Sequence, residues 1–529
     1  MSDAVERAGL VIPDAGDGRA HRRRFSRVAL AIVAAKALAH LGAALVTPYE
    51  FHRDELLYFA MGTHLRLFGM DFPPAIALLS EGVRATAGVS VFTYRLVPGL
   101  LSAAVALVAV AIARELGGRR KAQALVALAV LFNPLFLRSG SLFQPVVLDQ
   151  LWWMVGFWAL ARLARTGDPR WWLAVGAAAG LGLLSKFSIL FFGLAVLGGL
   201  LATERRRDLL GPWPWIALAI ALAIGSPSWA GQLRLGLPVI DQMAGLREGQ
   251  LNRITLAEQA IGQAIWGPQV LLAAAGLVGL LASRRLRTWR VLGWAALVAL
   301  ALFVVMKGKP YYSGPVHPLL YAAGGVWLET VRRRRVRQGL ALGLAGAIAA
   351  WGAFILPFGL PVVPPASMAR YAAWTGIEAG TTTNRGEVLE LPQDYADMLG
   401  WQEKAAAMAA VVEALPPEER ATAVLYGRNY GQAGALELYR GRYGLPPVAS
   451  LAGSWYLLGP GPHRAGDTIV LLGVEPDQLE TIRCGSVEVA ARVQVPWGVP
   501  EERDVPITVC RDPGLSLRDL WEQEGPAWG

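Results

Sequence analysis

Two short stretches carry residue types that could do chemistry: Phe51-His52-Arg53-Asp54-Glu55-Leu56-Leu57-Tyr58, followed by Gly69-Met70-Asp71-Phe72-Pro73-Pro74. Adjacent carboxylates just beyond an apolar block are costly unless solvated or paired. Neighbouring residues on a helix diverge by about 100°, so Asp54 and Glu55 cannot address one substrate atom. One can face a reaction while the other caps or pairs. A lone carboxylate suits the removal of a proton from an attacking hydroxyl, and a departing phosphate needs cations or hydrogen-bond donors. Cations suited to that task stand at other block ends: Arg95, Lys186, and Lys307 with Lys309 just before Tyr311 and Tyr312. Spacing alone fits an aromatic and basic belt at a membrane interface equally well. His52 and His317 could join Asp54 and Asp71 around a metal, but no Cys/His spacing is that of a zinc site.

The elements that must position these residues are membrane helices. The chain has 529 residues, 54% hydrophobic and 17% charged, against about 25% charged in soluble domains. Its apolar residues fall in blocks of about 16 to 22, the length that crosses a hydrocarbon core of about 30 Å. The expected spans are about 27–46, 96–114, 121–138, 145–164, 171–185, 187–202, 213–230, 268–282, 288–306, 315–331 and 338–358. Basic residues gather at His21–Arg24, Arg114–Lys121, Arg162–Arg170, Glu204–Arg207, Arg284–Arg290 and Arg332–Arg337. Placing these junctions inside gives a cytoplasmic tail 1–26 with no cleavable leader, a membrane module 27–359, and an external segment 360–529. Basic flanks on both sides of 171–202 require a hairpin, which sets Lys186 at the outer face. The net charge of +10 is thus an orientation signal, with Arg332–Arg335 at the anionic leaflet, and not a nucleic-acid footprint.

Three external segments exceed ordinary loop length: 47–95, 231–267 and 360–529. The last reads as a soluble α/β domain, with a helix over Gln402–Leu415 and strands over Ala421–Tyr426 and Thr468–Gly473. Cys484 and Cys510 both lie there, either as a disulfide, which an oxidising compartment would permit, or as two buried thiols. The expected fold class is therefore an α-helical polytopic membrane protein of about eleven transmembrane helices with a C-terminal extracytoplasmic α/β domain.

The ordered set of motifs resembles the glycosyltransferase family 39 type, membrane enzymes of the GT-C fold that include protein O-mannosyltransferases and the aminoarabinose transferase of lipid A. The His-Arg-Asp-Glu stretch and Asp71-Phe72-Pro73-Pro74 are followed by Arg95-Leu96-Val97-Pro98, by Gly182 to Ser188, and by Gly308 to Pro318 with its Lys309, Tyr311 and Tyr312. Asn429 to Ala435 and Tyr443 to Pro447 resemble segments of an uncharacterised bacterial branch. The resemblance implies Asp54 as general base, with Glu55 supporting it or contacting the acceptor. It implies Arg95, Lys186, Lys309, Tyr311 and Tyr312 around a donor phosphate, and Asp71, Gln144, Asp149 and His317 as pocket residues. The implied donor is a polyprenyl-phosphate sugar entering from membrane lipids, and the acceptor a protein, lipid or glycan hydroxyl outside a bacterial plasma membrane. Transfer would invert the anomeric centre and need no cofactor or metal. No lipid-A-specific signature and no inserted lumenal domain is present, so the acceptor stays open. The competing readings are a transporter or lipid flippase, and a catalytically dead scaffold that binds a partner through its C-terminal domain. A transporter would line a path through the bilayer with polar residues, whereas an enzyme would build a one-sided cavity.

Overall fold

The computed structural model describes residues 24–461 and 467–528, so His21–Arg23 and nearly all of the expected tail lie outside the described residues. Helices dominate as far as residue 359. They are α1 (Arg27–Val46), α2 (Arg53–Thr63), α3 (Ala75–Ala87), α4 (Val91–Glu115), α5 (Arg120–Leu131), α6 (Pro134–Ser139), α7 (Pro145–Thr166), α8 (Trp171–Leu183), α9 (Ile189–Leu201) and α10 (Trp213–Ile224). There follow α11 (Ser226–Arg234), α12 (Pro238–Leu246), α13 (Leu256–Ala264), α14 (Gln269–Ala282), α15 (Arg290–Val305), α16 (His317–Leu328) and α17 (Arg334–Gly359).

Each of the eleven expected spans falls on helix, but the helices are not all membrane length. Among the described residues, four helices are long and apolar enough to cross singly: α1, α4, the stretch Arg284–Val305 and α17; two bent pairs would make six. Several of the others are interrupted for local reasons, whereas α7 runs unbroken over 22 residues. Pro134 stands at the first helical position of α6 and Asn133 caps it through Leu135 N–H, so the expected span 121–138 breaks in two. Gly225 and Pro227 divide the span expected over 213–230. The 13-residue helices α8 and α9 rise only about 20 Å each, and the chain breaks between them around Ser185–Lys186. At the end of α7, Gly167 takes φ 69°, a left-handed turn that favours glycine.

Small residues bring the helices together, as packing between apolar faces requires. A Cβ on Gly276 of α14 would stand 1.9 Å from the Leu320 carbonyl of α16, and one on Gly324 of α16 would stand 2.1 Å from the Leu272 carbonyl. The main core lies among these helices, with Trp153, Phe157, Phe192 and Tyr321 fully buried.

After α17 the chain adds α18 (Pro365–Thr375), α19 (Gln393–Ala396), α20 (Trp401–Ala414), α21 (Pro417–Thr422) and α22 (Tyr430–Tyr443). Five strands form one sheet: β1 (Val424–Gly427), β2 (Val448–Ala449), β3 (Ile469–Leu472), β4 (Cys484–Gln494) and β5 (Asp504–Pro513). Their order is β2-β1-β3-β5-β4. β1 is parallel to β2 and β3, and β5 is antiparallel to β3 and β4. The helix and the second strand were expected where they occur, whereas the first half of Ala421–Tyr426 closes α21 before β1 begins. Alternation along the strands sorts two cores. Leu425, Val470 and Ile507 pack under α20 and α22, while Val424, Leu471 and Cys510 face Leu517 and Trp521. Cys484 and Cys510 are bonded to each other across the β4–β5 ladder, which decides between the two cysteine readings.

The segment 360–400 does not join the sheet. Met368, Leu391, Tyr395 and Met398 pack with Tyr49, Leu142, Ile355 and Phe358, so this segment is the joint between helices and sheet.

Candidate active site

The site begins at the first turn of α2. His52 caps the helix: its ring accepts from Asp54 N–H at 3.1 Å while Glu55 accepts from His52 N–H at 2.8 Å, a reciprocal capping box. That box turns Glu55 inward. Its carboxylate also accepts from Phe143 N–H at 2.8 Å and pairs with Arg95 at 3.2 Å, both side chains being buried. Arg95 donates further to the Glu50 carbonyl at 2.6 Å. Arg95 was expected at a donor phosphate; in the structure it is committed to Glu55 and anchors α2 to α4. The reason is desolvation: a buried carboxylate at this position demands a cation. Glu55 accordingly has no access to an acceptor.

Asp54, one residue earlier, points the other way. Gln144 at the start of α7 donates to Oδ2 at 2.8 Å and the Tyr430 hydroxyl donates to Oδ1 at 2.9 Å. Two donors hold the carboxylate in one orientation. Tyr430 begins α22, whose first turn is capped by Asn429 through Gln432 N–H. The helix sits tightly on α2: a Cβ on Gly434 would stand 2.8 Å from the backbone of Leu56. Arg53 binds the same junction, pairing with Asp397 at 3.4 Å and Glu501 at 3.1 Å.

Basic residues surround Asp54 on another side. Lys186, in the turn between α8 and α9, lies over the rings of Tyr311 and Tyr312 at 5.6 and 5.4 Å. Burial draws its ammonium below the usual lysine range, while Asp149 and Asp54 oppose that shift. Lys309 is brought down to about 8 by burial and by Lys186 and Arg138, against the pull of Asp54 and Asp394. Arg138 pairs with Asp394, and His52 Nε2 lies 3.8 Å from carboxylate oxygens of both Asp394 and Asp397. His52 thus faces these two acids and not Asp71.

A cavity of about 500 Å³ opens beside Asp54. Its lining comes from α2, from Asp71–Phe72, from the 242–250 stretch, and from Arg385, Tyr430, Gly453 and Trp528; none of the long apolar helices contributes. Burial raises the Asp71 carboxyl to about 6 in spite of a hydrogen bond from Ser454.

The remaining expected residues divide. Gln144 touches Asp54 directly. Asp149 is buried near Lys186. His317 Nδ1–H donates to the Ser313 carbonyl at 3.0 Å and its ring packs 4.4 Å from that of Trp266, away from the cavity. Tyr430 stands in the sequence only within the Asn429–Ala435 motif, and no local signal marks Arg138, Gln242, Arg385 or Trp528, because each reaches the site from a distant segment.

Comparison with known proteins gives a family match over part of the chain and a shared fold. Residues 71–230 match the family described as dolichyl-phosphate-mannose-protein mannosyltransferase. The crystal structure of ArnT from Cupriavidus metallidurans bound to undecaprenyl phosphate superposes with a TM-score of 0.59 at 17% identity, covering 90% of this chain and 97% of that one. Its apo state gives 0.58 at the same identity and coverage. Among curated proteins none matches the sequence. The matched region begins after Asp54, so the carboxylate's place in the site rests on the geometry above.

Proposed function

We propose that this chain, a multi-pass membrane protein of the GT-C glycosyltransferase type, transfers a sugar from a polyprenyl-phosphate donor to an acceptor hydroxyl with inversion. One observation carries the reading: a single carboxylate, Asp54, is fixed by Gln144 and Tyr430 within the field of Lys186 and Lys309. Asp54 takes the acceptor proton as the acceptor oxygen bonds to the anomeric carbon. The bond from that carbon to the phosphate oxygen breaks on the opposite side, and polyprenyl phosphate departs. Lys186 and Lys309 offset its charge in a site of low dielectric, where such interactions are strong. Tyr311 and Tyr312 flank Lys186 and offer hydroxyl donors to the same phosphate. Glu55 and Arg95 hold α2 so that Asp54 keeps its aim. A cavity with no lining from the long apolar helices supports an enzyme over a transporter, which would need a polar path through them.

The test uses full-length protein in detergent with native lipids and a panel of radiolabelled polyprenyl-phosphate sugars. Wild type should release free polyprenyl phosphate from at least one donor, and Asp54→Asn should release it about 10² to 10⁴ times more slowly. Equal release by the two proteins would remove Asp54 from the mechanism.

A further inference from the structure

The cavity beside Asp54 has a side and a chemistry that narrow what enters it. Lys186, Lys309, Tyr311 and Tyr312 do not line it. Asp54 is where the cavity meets that basic group. Much of the remaining wall is built by the part of the chain that follows the membrane helices, with Tyr430, Gly453 and Trp528 closing over the first loop. A lipid-linked donor brings its phosphate to the lysines, so the space across Asp54 from them receives the partner in the reaction.

From these walls we infer that the cavity is the acceptor site and that its acceptor is a carbohydrate, which presents a ring hydroxyl to Asp54; the inference rests on the glycosyl-transfer reading. The polar groups suit vicinal hydroxyls. Asp54 and Asp71 offer carboxylate acceptors, while Gln242 and Gln250 offer amides that both donate and accept. The flat walls suit the C–H face of a sugar ring: Tyr58, Phe72, Tyr430 and Trp528 are all in the lining. One mode of peptide capture is missing: an extended chain can be held by pairing with a strand edge, and neither edge strand of the sheet, β2 or β4, reaches the cavity.

Asp71 is held for this task by the C-terminal segment. The Ser454 hydroxyl donates to its Oδ1. Gly453 lies so close that a Cβ there would stand 2.4 Å from Oδ2. Gly453 N–H in turn donates to the Ala527 carbonyl at 3.0 Å, and Ala527 N–H to the Leu451 carbonyl at 2.8 Å. That short ladder brings Trp528 into the same lining as Asp71.

The experiment offers full-length protein methyl pyranosides of glucose, galactose, mannose and N-acetylglucosamine, alongside a short Ser/Thr peptide. Label transfer is counted separately from polyprenyl phosphate release, and glycoside binding is followed by saturation-transfer NMR without donor. We expect label on at least one glycoside, and a glycoside KM raised about three- to tenfold in Trp528→Ala and in Asp71→Asn. Glycoside binding in the NMR arm, weakened in Trp528→Ala, decides the matter even if no donor in the panel turns over. Label on the peptide with glycosides inert would overturn the assignment, as would absence of glycoside binding by wild type. Failure of the transfer reaction itself would show in the release arm, with glycoside binding intact.

Discussion

At the scale of single residues, the capping box of α2 divides two neighbouring acids between two tasks. Glu55 spends both oxygens on backbone N–H groups and on Arg95, while Asp54 keeps a face toward the cavity. Lys309 sits at about 8 because burial and the neighbouring cations Lys186 and Arg138 disfavour its charge. A lysine must be protonated to hold a phosphate, so its contribution is present below that value and fades as pH rises through it. The pH profile of kcat/KM for donor, which reports the free enzyme, should therefore show an alkaline limb near 8. Lys309→Arg, whose guanidinium stays charged, should push that limb up and out of the accessible range. A limb that stays in place would assign it to another group.

At the scale of elements, the contact between α2 and α22 sets how Asp54 is aimed. Gly434 lies against the Leu56 backbone, which cannot yield as a side chain would, whereas nothing stands within 4 Å of a Cβ on Gly441 of the same helix. Gly434→Ala should thus lift α22, lengthen the Tyr430–Asp54 bond and lower kcat by about tenfold or more, a loss equivalent to about 1.4 kcal/mol of transition-state stabilisation. Gly441→Ala should leave kcat within about twofold and serves as the control for helix propensity. Thermal melts of both variants separate a displaced helix from a generally unstable one. Matching turnover in the two variants would mean that the α2–α22 spacing is not what sets the base.

At the scale of the whole molecule, the membrane helices and the C-terminal sheet meet at the site. Arg53 pairs with Asp397 and Glu501, and Tyr430 reaches Asp54, so sheet stability and turnover are linked through one junction. The Cys484–Cys510 disulfide spans 26 residues, for which a stabilisation of about 3 kcal/mol is expected. Paired Cys484→Ser and Cys510→Ser replacement should lower the unfolding midpoint of the C-terminal segment and reduce turnover at temperatures where that segment loosens. Unchanged turnover up to the wild-type midpoint would show that the junction holds without the covalent link.

Residue order alone is enough to read the helical blocks, the break between α8 and α9 around Lys186, the helix and one strand of the C-terminal segment, and the division of Asp54 from Glu55. These follow from periodicity, from apolar length and from the angle between neighbouring helical residues, all of which are local. It left the cysteine pair open, because pairing depends on the register that sets β4 beside β5. It placed Arg95 at a phosphate because an exposed cation and a buried counter-ion look alike in one dimension; only the fold shows Glu55 waiting beside it. The tertiary structure alone brought Tyr430, Arg385, Gly453 and Trp528 to the first loop, since residues hundreds of positions apart carry no spacing from which a contact can be read. It also shortened several expected spans, where Pro134, Gly225 and Pro227 interrupt helices that hydrophobicity alone would have run through.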